Sequence, residues 1–512
     1  MSLKPMETIE TIKDEDVDVT LVKEVPLPFA KNNLVMPLRR ENGFLRAAVA
    51  DERGILAVLD LAKRYGLTPR PMKADAGAVI EAINRFYGQM GTAREVMDGI
   101  AGEDFSAVAT EFESPKDLLE LTEEAPIIRL LNALFLQAVK EKASDIHIEP
   151  YEKELDVRMR IDGILRSVLT PPKIIQDALI SRVKIMANLD IAEKRLPQDG
   201  RMRLIIGARD IDIRVSIVPT SFGERAVLRL LDRKQGLISL HEVGLDEEDT
   251  GRLEDFLTRT NGIILVTGPT GSGKTTTLYA ALNRIHTEEK NIITVEDPVE
   301  YQLKGVGQIQ VNPKIGLTFA SGLRSILRQD PDVIMVGEIR DYETAEIAIQ
   351  ASLTGHLVLS TLHTNDSASA LTRLMDMGVE PFLIASSLVA VLAQRLVRTI
   401  CPYCREAYEP AETEISFFED ENLRPQMLYR GAGCDNCRGS GYLGRTGIFE
   451  LLNVSGGVRQ MIAARKDAKF IKEAAVSGGM RSLYMDGLSK ILKGHTTLQE
   501  VLRVTQKDAV EV

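Results

Sequence analysis

The chain has 512 residues, with 63 lysines and arginines against 74 aspartates and glutamates and a formal net charge of -11. Such a length exceeds what one hydrophobic core serves and suggests roughly three domains. The acidic balance argues against a bulk electrostatic grip on nucleic acid, which depends on clustered Lys and Arg, and leaves room only for a local basic groove.

In chain order, residues 1–20 are acidic, lack the apolar core of a secretory signal and read as disordered. Residues 21–90 predict a small α/β unit with strands near 34–38 and 44–50 and a helix near 55–65. A second helix, capped by Asp75 and stopping at Gly88, carries Val79, Ile80, Ile83, Phe86 and Tyr87 on one face. With no catalytic motif in it, this unit reads as a docking module. Residues 91–115, polar and rich in glycine and acids, read as a linker.

A second α/β unit is expected over 116–231, with alternating strands within 155–168, 201–219 and 224–231. These strands repeatedly carry arginines: Arg158, Arg160, Arg203, Arg214, Arg225 and Arg229. They read either as solvated strand faces or as phosphate-facing guanidiniums, and the segment that follows favours the second for at least two of them. A hinge at 232–238 leads into a third domain, 239–512, whose strands alternate with helices as a parallel sheet requires.

That third domain opens with an apolar strand, Ile263 to Thr267, followed by Gly268-Pro269-Thr270-Gly271-Ser272-Gly273-Lys274-Thr275 and a helix-compatible run to Ile285. The spacing is that of a phosphate-binding P-loop, and the strand before it and helix after it set it apart from an ordinary glycine-rich turn. Glycines let backbone N–H groups wrap a triphosphate, and the helix N-terminus adds its positive dipole end. Lys274 would reach the β- and γ-phosphates, Thr275 would ligate Mg²⁺, and Thr276 extends the cradle.

Further along, Glu296, Asp297 and Glu300 fall at the C-terminal end of an apolar strand, where open α/β sheets bind ligands. Such carboxylates can hold a hydrated Mg²⁺ or polarise an attacking water. A buried strand, Val333 to Val336, ends in Gly337-Glu338 like a Walker B segment in which glycine stands at the magnesium-side aspartate. Glu338 is then the candidate for orienting water, with Mg²⁺ on Thr275 and helped by Asp297 through water. On the next strand His356 reads equally as structural or functional, whereas His363, at the strand end among Thr361, Thr364 and Asn365, is placed to sense the γ-phosphate. The longest apolar stretch, Phe382 to Ala393, is interrupted by Ser386 and Ser387 and falls short of the roughly 20 residues of a membrane span, so a cytosolic protein reaching membrane only through a partner is expected.

All four cysteines are grouped as Cys401-x-x-Cys404 and Cys434-x-x-Cys437. Two such knuckles read as a closed, structural Cys₄ zinc site within an insert at 398–441, against redox-active or incidental thiols as the alternative. The intervening Arg405–Gly433 is too polar to hold a core, so the metal would supply its stability.

Taken together, SDIHIEP (144–150), LPQDGR (196–201), GPTGSGKTTT (268–277), the run 293–341, ASLTGHLVLSTLHTND (351–366), the tetracysteine insert and GRTGIFELL (444–452) resemble the secretion ATPases of the type II secretion and type IV pilus superfamily, above all the type II secretion E proteins. The resemblance implies a RecA-like P-loop ATPase domain preceded by a PAS-like α/β domain and a small N-terminal docking domain. It implies Walker A at 268–275, an Asp box at 293–301, Walker B at 334–338, a His box at 353–363, and nucleotide-reaching arginines at Arg214 and Arg229, with Arg225 next. The implied enzyme uses ATP, Mg²⁺ and Zn²⁺ and assembles as a homo-hexamer at the cytoplasmic face of the inner membrane. There it would drive pseudopilus assembly and export of folded proteins across the outer membrane. Implied partners are an L-type inner-membrane docking protein bound through the N-terminal domain, an F-type platform protein and, indirectly, acidic phospholipid, with no nucleic acid. A pilus-extension motor shares the catalytic core, and a DNA-translocating ATPase is disfavoured by the acidic balance and the lack of an aromatic and basic stacking groove.

Overall fold

The computed structural model describes residues 7–9, 12–13, 16–87, 93, 97, 126–206, 209–232, 238–418 and 424–505. They fall into two compact units, 1–234 and 235–512.

The first unit begins with a three-stranded sheet, β1 (Val35–Glu41), β2 (Phe44–Val49) and β3 (Thr68–Lys73), in that order. β1 pairs antiparallel and β3 parallel with β2, the crossover being the helix Glu52–Tyr65. Asp51 caps this helix by accepting from Gly54 N at 3.0 Å, and Gly66 ends it at φ 65°. The helix Ala76–Tyr87 buries Val79, Ile83 and Phe86 against Met36, Leu38 and Ala48. β3, TPRPMK, gave no strand signal because of its two prolines, which sheet edges tolerate. The acidic start also differs from expectation: Ile12 and Val17 are buried in the same core, Thr8 bridges to Lys73, and a helix spans Val19–Glu24. Two or three well-spaced apolar residues suffice to pin a segment whose composition is otherwise that of a disordered one. The expected linker 91–115 lies outside the described residues except Ala93 and Met97, which pack into the next core.

That core lies under a six-stranded antiparallel sheet of β4 (Asp145–Pro150), β5 (Leu155–Ile161), β6 (Ile164–Leu169), β7 (Gln198–Ile206), β8 (Arg209–Thr220) and β9 (Gly223–Asp232), ordered β6-β5-β4-β9-β8-β7. Ile146, Val157, Ile213 and Leu228 point to the helices Pro126–Lys140 and Gln176–Met186. Alternation therefore sends the polar residues to the other face. The register puts Arg160, Asp145, Arg229, Arg214 and Arg201 on one rung of that face, across β5, β4, β9, β8 and β7. Of the hinge expected at 232–238, residues 233–237 lie outside the described residues.

The second unit is built on a seven-stranded sheet ordered β12-β11-β13-β14-β10-β15-β18, comprising β10 (Gly262–Thr267), β11 (Ile292–Glu296), β12 (Gly307–Gln310), β13 (Val333–Val336), β14 (Leu357–Leu362), β15 (Leu388–Ile400) and β18 (Tyr442–Asn453). All neighbours are parallel except β15 and β18. β10, β13 and β14 are buried at every position, as expected where helices cover both faces. The apolar stretch at 382–393 is split between a short helix, Pro381–Ser387, and β15. No described helix is long and apolar enough to cross a membrane.

Between β15 and β18 lies the cysteine-bearing insert with its hairpin of β16 (Arg405–Tyr408) and β17 (Leu428–Gly431). Its polar composition hides two anchors: Phe418 and Leu428 are buried with Val397, Leu483 and Ile491. The insert thus shares a core with the C-terminal helices, contrary to the expectation that it holds none.

Candidate active site and cysteine cluster

The site starts at the end of β10. Thr267 Oγ1 lies 2.7 Å from Thr364 Oγ1 and accepts from Thr364 N at 3.0 Å, tying this strand to the loop after β14. The chain then turns at Gly268, φ 150°, where a Cβ would stand 2.5 Å from the Gln394 carbonyl, so only glycine fits. Gly273, left-handed at φ 88°, opens the helix Lys274–Ile285 without a side-chain cap. Its first N–H groups are left to an anion. Ser272 is buried, and Thr275 and Thr276 are half-buried in the first turn.

Lys274 is only 8 % exposed and its Nζ folds back on the loop, donating to Gly268 O at 2.8 Å and Pro269 O at 3.0 Å. Burial lowers its pKa from 10.5 to about 8, against the pull of Glu338 and with help from Arg395. Nζ also lies 3.4 Å from His363 Nδ1, and His363 Nε2 lies 3.0 Å from Glu338 Oε2. His363 thus bridges the lysine and the carboxylate with one ring nitrogen toward each. Burial opposes ionisation of Glu338, but the ion pair with Arg340 and the His363 hydrogen bond outweigh it and hold the carboxyl below its ordinary range. Lys274, His363, Glu338 and Arg340 therefore form one connected row at the C-terminal edge of the sheet. It borders an open cleft also lined by Thr270 and Arg373.

Not every acidic candidate joins this row. Glu296 is 3 % exposed and accepts from Tyr279 OH, from Thr294 Oγ1 at 2.5 Å and from Gln308 Nε2 at 3.1 Å. Desolvation raises its pKa above the usual carboxylate range despite these bonds. Its neighbour Asp297 is exposed and close enough to Arg340 to interact electrostatically. Gly337 packs against β11: a Cβ there would lie 3.3 Å from Glu296 Cα and 3.3 Å from the Phe319 ring, so the aspartate of an ordinary Walker B would crowd this contact. His356, at the opposite end of β14 from His363, bonds Ala351 O at 2.8 Å and Thr354 Oγ1 at 3.2 Å, a structural role.

In the first unit the strand arginines meet carboxylates. Arg158 and Arg225 both use a terminal nitrogen on Glu149, Arg225 at 2.6 Å. Arg203 forms a fork on Asp210 at 2.7 and 2.5 Å. Arg229 contacts Asp145 through Nε at 3.1 Å, and Arg214 is its cross-strand neighbour.

Arg340, Arg373 and Arg395 carry no motif of their own, and the last donates to Asn365 O at 2.7 Å in the His363 loop. The one available signal was Arg340's place two residues beyond Glu338.

The four cysteine sulfurs lie within 4.8 Å of one another, with Cys401–Cys434 at 3.9 Å, Cys404–Cys437 at 3.7 Å and Cys434–Cys437 at 3.7 Å. A tetrahedron of sulfurs about 2.3 Å from a zinc ion has edges of about 3.8 Å, so the donor set fits that metal.

The family model of the type II/IV secretion system proteins matches residues 120–503, and that of the MshEN domain residues 8–93. The type II secretion system ATPase E of Vibrio cholerae is 53% identical over 417 residues, covering 81% of this chain and 83% of that one. The type II secretion system protein E of Dickeya dadantii is 48% identical over 503 residues, covering 97% and 100%. The type IV pilus assembly ATPase of Myxococcus xanthus is 43% identical over 503 residues, covering 97% and 88%. Among solved structures, the pilus retraction motor PilT with bound ADP aligns at TM-score 0.50 and 26% identity over 73% of this chain and 96% of that one. The Legionella pneumophila ATPase DotB shares the fold at TM-score 0.55 and 21% identity, covering 74% and 95%. With its P-loop, its Lys274–His363–Glu338 row and relatives of this similarity along nearly its whole length, the chain belongs to the type II/IV secretion ATPase family as an ATP-hydrolysing enzyme of the type II secretion E kind.

Proposed function

We propose that the chain is the cytoplasmic motor of a type II secretion system, a homo-hexamer peripheral to the inner membrane that couples ATP hydrolysis to pseudopilus growth. The observation that carries its chemistry is the Lys274–His363–Glu338 row beside the P-loop. Lys274 leaves the loop carbonyls for the β- and γ-phosphates when they arrive, and His363 turns an imidazole N–H from Glu338 to the terminal phosphate. Glu338, kept ionised by Arg340, orients the attacking water. Thr275 is the residue to hold Mg²⁺, with Asp297 assisting, and that ion would neutralise phosphate charge. Glu296 acts through Tyr279 and β11 to set the position of Asp297 rather than by touching substrate. Arg214 and Arg229 complete the site from the arginine-bearing domain at 116–231, linked through a hinge at 232–238 to the motor domain at 239–512. The cysteines hold a structural zinc.

The N-terminal unit, about 21–90, docks to an L-type inner-membrane protein, with an F-type platform and acidic phospholipid reached through the assembly. Greater identity to type II E proteins than to the pilus-assembly relative favours secretion over pilus extension. A pull-down from native membranes with the full chain is expected to recover a secretion docking protein, and to lose it when the N-terminal unit is removed. Recovery of a pilus membrane protein instead would overturn this reading.

A further inference from the structure

The strand arginines differ in which nitrogen their carboxylate partner takes. Glu149 holds Arg158 and Arg225 by terminal nitrogens, and Asp210 takes Nε and one terminal nitrogen of Arg203. Each of those guanidiniums has a terminal nitrogen committed to a carboxylate. Asp145 works differently. Its Oδ1 takes Nε of Arg229 at 3.1 Å and its Oδ2 lies 3.4 Å from Nε of Arg160, while Ser144 Oγ donates to Oδ2 at 2.8 Å and fixes the carboxylate. Arg160 also gives one terminal nitrogen to Gly163 O at 3.1 Å, whereas Arg229 makes no further hydrogen bond among the described residues. A guanidinium held by Nε keeps its two terminal nitrogens for a forked contact with a phosphate.

We infer that Asp145 is a positioning residue for hydrolysis: it holds Arg229 by Nε so that both terminal nitrogens are presented for a forked grip on a phosphate. Asp145 is 6 % exposed and Arg229 more than half exposed, so the fixed partner is the acid and the presented one the arginine. Its place on the rung between Arg160 and Arg229 also offsets like-charge repulsion along a row that continues to Arg214 and Arg201. The inference rests on the proposed role of Arg229.

The test is steady-state ATP hydrolysis by the full chain as Asp145→Asn, Arg229→Ala and the double variant, with thermal midpoints measured alongside. Asp145→Asn is expected to lower kcat about tenfold or more with KM within about twofold, because an arginine mis-set by about 1 Å loses the transition state and not the ground state. The double variant is expected to be no slower than Arg229→Ala alone, since the two residues act as one unit. Should Asp145→Asn fail to fold, Ser144→Ala, which frees the carboxylate without changing charge, is expected to show the same kcat-selective loss. An unchanged kcat in the folded acid variant, or multiplicative losses in the double variant, would overturn the inference while leaving Arg229 in place. A fully active Arg229→Ala would instead remove the reading on which it rests.

Discussion

Lys274 carries the clearest consequence at the level of single residues. Lys274→Ala is expected to reduce ATP hydrolysis to background, because the transferred phosphoryl group loses its charge partner, whereas Glu338→Gln should bind a non-hydrolysable analogue normally and lower kcat by two orders of magnitude or so. Normal turnover in either variant would sink the assignment. The pKa near 8 gives a second check. Between about 8 and 10.5 the free protein has shed a proton that the unfolded chain still binds, so burial of Lys274 costs stability at lower pH and the cost fades as pH rises through 8. A bound polyphosphate favours the ammonium, so analogue binding near pH 8 should take up part of a proton and weaken as pH rises. Calorimetry in two buffers of different ionisation heat reads this uptake, and Lys274→Arg should abolish it. The places of Lys274, Glu338 and His363 were legible from sequence because the first opens the helix after the P-loop and the other two closely follow buried strands. Arg340 and Arg395 were not, since an arginine's partner is decided by tertiary pairing. Nor was the burial of Glu296, whose pocket is closed by Tyr279 from another element.

β10, β13 and β14 were readable from their unbroken apolar runs, while elements that pack by one face or along an edge escaped: β3 with its prolines, and the helices Pro126–Lys140 and Gln176–Met186, ahead of and between the arginine-bearing strands. The cysteine insert was legible as a cluster of four thiols but not as part of a core. Cys434→Ser is therefore expected to release about one equivalent of zinc and loosen the hairpin β16–β17, with nucleotide binding kept. Elemental analysis finding no zinc in protein purified without chelator would refute the metal reading. Phe418 and Leu428 predict that the loosening spreads into the C-terminal helices, which hydrogen exchange would follow. Those helices have their own tether: Glu500, 1 % exposed, accepts from Arg398 N at 3.1 Å and pairs with Arg398 at 2.7 Å and Arg503 at 2.9 Å. Burial opposes its ionisation, yet these partners lower its pKa to about 2. A depressed carboxyl stabilises above its unfolded value near 4.5 and is lost as pH falls toward 2, so the helix Leu498–Thr505 should detach in that window. Glu500→Gln should cost about 3 kcal/mol at neutral pH, leaving two arginines without their acid. A denaturation midpoint unchanged by the substitution would show the cluster to be inert.

For the whole molecule, three stretches of the chain carry different residue patterns: a motif-free α/β unit, an arginine-striped antiparallel sheet, then a P-loop. Division of labour follows from that order. Deleting residues 1–90 is expected to leave basal ATPase activity and remove membrane association, since no member of the Lys274 row lies there; loss of basal activity would give the N-terminal unit a catalytic share. On the proposed reading the arginine-bearing sheet belongs to the other class, and in a ring with head-to-tail contacts each subunit would offer its arginine to a neighbour. Arg229→Ala and Lys274→Ala chains, each inactive alone, provide the test when mixed. Supply from a neighbour means that an Arg229→Ala chain, with its P-loop intact, faces the wild-type Arg229 of a Lys274→Ala chain at about a quarter of interfaces in a random equimolar ring. Hydrolysis should then recover to a corresponding fraction and vanish when the rings are dissociated by dilution. Supply within one chain leaves every chain of the mixture lacking one group, and no recovery follows at any ratio.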